Sequence, residues 1–170
     1  MATSTIPSVP QTGRLADTLG HLLLDAINDC RSLDPAIFRL EMSSWLVYFG
    51  TNNEPSKLCE VCLAGATMAC RLNGLSKVVR PKNYTEITPD EFYDASECDR
   101  SVKSMRAINH LRNGNVSRAY FELYGESVGQ DLIDGYAQLC DDARIFADEP
   151  WTNDWSAHLA LAHRLIELGL

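Results

Sequence analysis

The chain has 170 residues, of which 45% are hydrophobic and 22% charged, and a formal net charge of −8. That length supports one domain with a substantial core, without help from disulfides or metal. No apolar run reaches the roughly 20 residues needed to span a membrane, and the acid excess opposes non-specific nucleic-acid binding by the whole molecule.

Residues 1–11 are rich in Ser, Thr and Pro and read as an extended arm with no core of its own. They lack the charged and apolar regions of a signal peptide, so the cytoplasm is the expected compartment. The six cysteines are then expected as free thiols. Residues 12–170 read as a single mainly α domain, an irregular helical bundle with at most a minor short β element. Its first helix is expected over Thr12–Arg31, with Leu15, Leu19, Leu22, Leu23, Ala26, Ile27 and Cys30 as the apolar face.

Asp34-Pro35 carries the N-cap and first-turn proline signature of a second helix. In the following Ile37–Phe49 stretch, Phe38, Leu40 and Met42 alternate as in a strand. Ile37, Leu40 and Glu41 also allow a helix, and the helix is the preferred reading. Gly50–Pro55 is a turn cluster. Ser56–Leu72 then reads as the helix around which the chain is organised, with Ser56 as N-cap and Asn73-Gly74 as stop. Its only charges are Lys57, Glu60 and Arg71, so most of its circumference is apolar, as in a helix surrounded by others. Gly65 inside it implies a packing reason, because glycine costs a helix about 1 kcal/mol against alanine.

Thr88-Pro89-Asp90-Glu91 combines an N-cap, a first-turn proline and a capping-box Glu. The helix it opens is expected to reach Leu111 with Met105 and Ile108 inward, and to stop at Asn113-Gly114. Three more helices are expected. Ser117–Tyr124 ends at Gly125. Gln130–Phe146 turns Leu132, Ile133, Tyr136, Leu139 and Cys140 inward. Asp154–Leu168 buries Trp155, Leu159, Ala162, Leu165 and Ile166.

Chemistry-bearing patterns are few. Cys59 and Cys62 form a CxxC at the expected start of the central helix, where the macrodipole lowers a thiol pKa. The spacing also suits zinc, but a closed structural site needs further ligands, and no second CxxC or HxxxH exists. Cys98, Cys140 or a histidine would have to be supplied by the fold. Buried cysteines that act as small apolar residues are the plainer account. The small side chains about Gly65 leave room for a small-molecule pocket. No cofactor is implied.

The sharpest feature is electrostatic. Between Ala119 and His163 stand Glu122, Glu126, Asp131, Asp134, Asp141, Asp142, Asp148, Glu149 and Asp154, opposed only by Arg144. This segment carries the whole net charge. A solvated acidic face would explain it, and so would an array presenting nucleic-acid-like charge to a basic partner. One basic stretch, Arg71, Lys77, Arg80 and Lys82, has no acid between Glu60 and Glu86.

Glu41-Met-Ser-Ser-Trp45, the CEVCLAGATMA run of Cys59–Ala69 and the Trp155–Leu170 helix together resemble uncharacterised small proteins of bacteriophages and bacteria. The resemblance implies a phage accessory product that binds and redirects a host protein. The functional expectation is therefore a non-enzymatic interaction protein in the host cytoplasm. Its partner is a host protein with a basic surface, met at Glu122–Asp154, without direct contact to nucleic acid or membrane. A thiol- or metal-dependent activity at Cys59/Cys62 and a small-molecule site beside Gly65 are the alternatives.

Overall fold

The computed structural model of the chain describes residues 13–41, 46–51, 54–71, 85–86, 99–112, 115–142 and 155–170. In chain order they form α1 (Leu19–Ser32), β1 (Phe38–Leu40), β2 (Leu46–Thr51), β3 (Glu54–Val61), α2 (Leu63–Arg71), β4 (Thr85–Glu86), α3 (Asp99–Arg112), α4 (Val116–Tyr124), α5 (Gln130–Asp142) and α6 (Trp155–Glu167). The fold is mainly α with a minor β component, the class that the sequence implies. Several expectations lie outside the described residues: the 1–11 arm, the Thr88–Glu91 helix start, the stops at Gly74 and Gly114, and the turn around Pro150.

Helix α1 begins later than its apolar pattern suggests, because Thr18 supplies the N-cap and its hydroxyl accepts the His21 N–H. The expected face is the one buried: Leu19, Leu22, Leu23, Ala26 and Ile27 are all within 1% of complete burial. Helices α2, α3 and α6 pack around it. The approach of α6 is close enough to depend on Gly20. A Cβ there would lie 2.7 Å from the Ile166 backbone nitrogen and 2.9 Å from the Ala162 carbonyl oxygen. The Gly20 N–H also donates to the Leu170 carbonyl at 3.0 Å.

Two helical expectations are corrected. Asp34-Pro35 does not start a helix; the Asp34 carboxylate accepts the Ala36 N–H at 2.9 Å, closing a turn that leads into β1. Ile37–Phe49 is not helical where described, since β1 and β2 occupy its two ends. The expected central helix also starts too early. Ser56 is no N-cap, and Cys59 is not helical, because Glu54–Val61 is strand β3. The four strands are ordered β1-β3-β2-β4. Strand β3 runs parallel to β1, with Phe38 opposite Cys59, and antiparallel to β2, with Tyr48 opposite Cys59. The physical reason is pairing. A strand with neighbours on both sides finds partners for the backbone groups that point to either side, and this outweighs a local helix signal that rests on one cap residue.

What remains of the expected helix behaves as anticipated. From Leu63 to Cys70 every residue with a described side chain is buried, Gly65 included, so α2 is enclosed on all sides. Its last residue, Arg71, ends in an ion pair that ties three chain segments together. Nε and NH2 donate to the two Asp29 carboxylate oxygens at 2.6 and 3.0 Å, and NH1 donates to the Gly13 carbonyl at 2.8 Å. Asp25 stands 3.8 Å away and accepts the Ala16 N–H. Burial pushes the Asp29 carboxyl above the usual aspartate range, against the opposing pull of the Arg71 hydrogen bond and charge.

Two glycines test the packing by opposite signs. Gly20→Ala should destabilise the protein by about 1–3 kcal/mol in urea unfolding, because the obstructing atoms are backbone. Gly135→Ala, where a Cβ meets nothing within 4 Å, should stabilise it by up to about 1 kcal/mol. Arg71→Met should cost about 3–5 kcal/mol at neutral pH by leaving Asp29 buried without its counter-charge. With its folded pKa raised further, Asp29 contributes stability below the unfolded-state value near 3.8 and loses it as pH rises through the folded value. The deficit of Arg71→Met should therefore shrink as pH is lowered from 7 toward 4, and a deficit that is flat with pH would contradict this account.

Candidate functional site

The described part of the acidic segment lies mainly on two helices, α4 and α5. Helix α4 is capped by Asn115, whose side chain accepts the Arg118 N–H, and is closed by Gly125 in the left-handed conformation at φ 69°. Helix α5 is fixed by Tyr136, which is 1% exposed and whose hydroxyl donates to the Leu111 carbonyl at 2.7 Å. On a regular helix Asp131, Asp134 and Asp141 fall within an arc of about 80°, roughly opposite Tyr136. All three are exposed, and Asp134 accepts a hydrogen bond from Gln130 at 2.8 Å. One helix face thus carries carboxylates because the other is committed to the core.

The remaining expected acids separate into three cases. Glu126 is exposed in the turn between α4 and α5. Glu122 is half-buried, and its Oε1 lies 3.8 Å from His110 Nε2 on α3, so it is engaged within the protein. Burial lowers the His110 pKa, with Glu122 opposing and the Arg118 and Arg106 charges assisting. Asp142 is the last residue of α5, and Asp148 and Glu149 lie outside the described residues. Composition gave no sign of the exposed aromatics beside these acids: Phe121 is 58% and Tyr124 41% exposed, and the Tyr124 hydroxyl donates to the Asp17 carbonyl at 2.7 Å. A helical plot of α4 would have placed Phe121 opposite Ala119 and Leu123.

The CxxC straddles a strand-to-helix junction. Cys59 lies on β3, and Cys62 immediately precedes α2. The Cys62 Sγ accepts the Gly65 N–H at 3.4 Å, so this thiol takes the place that a serine or aspartate cap usually fills. Cys62 is nevertheless completely buried. The described cysteine that the fold brings to it is Cys30 of α1, whose thiol donates to the Cys62 carbonyl at 3.8 Å. Cys70, further along α2, donates to the Asp29 carbonyl at 3.6 Å. Burial drives the Cys30 thiol well above its ordinary value, and the nearby Cys62, Cys70 and Asp29 add to it. Burial likewise raises Cys70, to about 11. Among the described residues no group of three or more His, Cys, Asp or Glu is placed to hold a metal ion. Gly65 is buried within α2; among the described residues a cavity lies at the C-terminal end of α1, where Cys30 forms part of its wall.

A thiol with a pKa near 11 is about one part in a thousand thiolate at pH 8. Iodoacetamide labelling at pH 8, resolved by peptide mass spectrometry, should leave Cys30, Cys62 and Cys70 unmodified in the native protein and label all three in guanidinium. Prompt native labelling of Cys62 would restore dithiol chemistry as a live reading. Among the described residues no helix is long and apolar enough to cross a membrane. Comparison with family models, with curated proteins and with solved structures finds no match to the chain.

Proposed function

We propose that this is a non-enzymatic interaction protein, phage-encoded and acting in the host cytoplasm, that engages a basic surface of a host protein through the acidic face of α5 and its flanking turn. The observation that carries the reading is the arrangement of α5. Asp131, Asp134 and Asp141 are exposed on one face while Tyr136 anchors the opposite face to Leu111. Carboxylates on an anchored helix keep fixed spacings, which is what orients a partner of complementary charge and speeds its encounter. Glu126 is exposed in the adjoining turn, and Asp142, Asp148 and Glu149 follow in the sequence. Nucleic acid itself is repelled by such a face; a protein site that ordinarily meets phosphates is attracted to it.

The thiol-dependent alternative has less support. It rests on Cys59 and Cys62, of which Cys62 is completely buried, whereas a reactive cysteine sits in a partly exposed environment.

The test is affinity capture from bacterial lysate with the wild type and with Asp131→Asn/Asp134→Asn/Asp141→Asn/Asp142→Asn, followed by binding measurements on the retained protein after purification. A basic protein should be held by the wild type and lost by the variant. Its association rate should fall at least about tenfold between low and physiological salt. Equal retention by both proteins would move the interface away from α5 and end this reading.

A further inference from the structure

A cavity of about 340 Å³ opens where the C-terminal end of α1 meets the β1 edge of the sheet. Its walls are Leu33, Phe38 and Val61, all nearly buried, with Leu40 and Pro35 toward the mouth. Cys30 also lines it, but the Cys30 thiol is turned to the Cys62 carbonyl, so this wall offers the cavity little polarity. Among the described lining residues the charged one is Arg31, which is exposed. Arg31 makes no hydrogen bond or ion pair with another described residue, while nearby arginines are committed: Arg14 to Asp17, Arg39 to Glu60 and Arg71 to Asp29. The adjacent carboxylate, Asp34, accepts the Ala36 N–H through Oδ1 and forms no ion pair with Arg31. The negative end of α1 is also blunted, since the Ser32 hydroxyl and the Leu33 N–H donate to the Asp29 and Cys30 carbonyls.

A chamber lined among the described residues mainly by apolar side chains, with the Arg31 guanidinium at its rim, suits a ligand with an apolar body and one anionic head. At about 30 Å³ per atom-sized unit, the volume holds on the order of ten non-hydrogen atoms. We propose that this cavity is a binding site for a medium-chain monocarboxylate of about the size of octanoate, its chain against Leu33, Phe38 and Val61 and its carboxylate paired with Arg31. The site is separate from the acidic face of α5, and neither reading depends on the other.

Isothermal titration with octanoate, octyl phosphate and 1-octanol tests the proposal. The wild type should bind octanoate saturably at one site. Arg31→Gln, an exposed change that leaves the core untouched, should weaken octanoate by about tenfold while 1-octanol changes less than about twofold. Leu40→Trp, which fills the chamber from its partly exposed side, should abolish binding of both, with circular dichroism confirming that the helices persist. Absence of saturable octanoate binding by the wild type overturns the site. So does unchanged octanoate affinity in Arg31→Gln or in folded Leu40→Trp. Binding of octyl phosphate without octanoate overturns the carboxylate assignment.

Discussion

The guanidinium of Arg71 is the constraint on which the arrangement of the helices depends. It stands at the end of α2, where a cation suits the negative helix terminus, and reaches Asp29 on α1 through two hydrogen bonds. Its third nitrogen fixes the segment before α1 through the Gly13 carbonyl. Asp25, one turn earlier on α1, holds the same segment through the Ala16 N–H. An unpaired Asp29 at 2% exposure would be costly, so α1 and α2 have one register in which the charge is matched. Apolar contacts among Leu, Ile and Ala side chains tolerate small slides; a buried bidentate pair does not.

Given that register, the remaining placements are steric. Small residues along α2, Ala64, Gly65, Ala66 and Ala69, allow it to be enclosed by α1, α3 and the sheet. Gly20 does the same for α1 against α6, on a face where a single methyl group would meet backbone. The charge pair sets the order of the central helices, and the absence of bulk sets how closely their neighbours approach.

Elements with a strong period of their own were legible in the sequence. The α1 face was read residue by residue, and α4 and α6 were placed to within a residue or two, because caps and apolar stripes are local signals. Helix α5 was placed at its start for the same reason. The sheet was legible only in part: the Phe38 and Leu40 alternation that allowed a strand falls on β1, whereas β2 and β3 were read largely as helix. Ser56 looks like a cap and Cys59–Cys62 like a first turn only while β3 is considered alone; its strand state comes from β1 and β2 on either side, and pairing is non-local. Asp34-Pro35 failed differently, since a side chain that accepts an N–H two residues on closes a turn as well as it caps a helix. In the acidic segment, counting gave the charge but not its division. Glu122 is half-buried beside His110, and only the fold shows which helix face Asp131, Asp134 and Asp141 occupy. The pairing of Cys30 with Cys62 has no signal in spacing at all, being 32 residues apart.

Among the described residues, the carboxyl and thiol groups with shifted pKa values belong to the packing of α1 against α2. Here the shifts at Asp29, Cys30 and Cys70 all originate chiefly in burial and favour the neutral species. Asp29 is answered by a structural cation, and both thiols donate to backbone carbonyls. Their chemistry is spent inside the protein on holding α1 against α2. Among the described residues, the charges that face outward include the α5 carboxylates and the Arg31 guanidinium at the cavity rim.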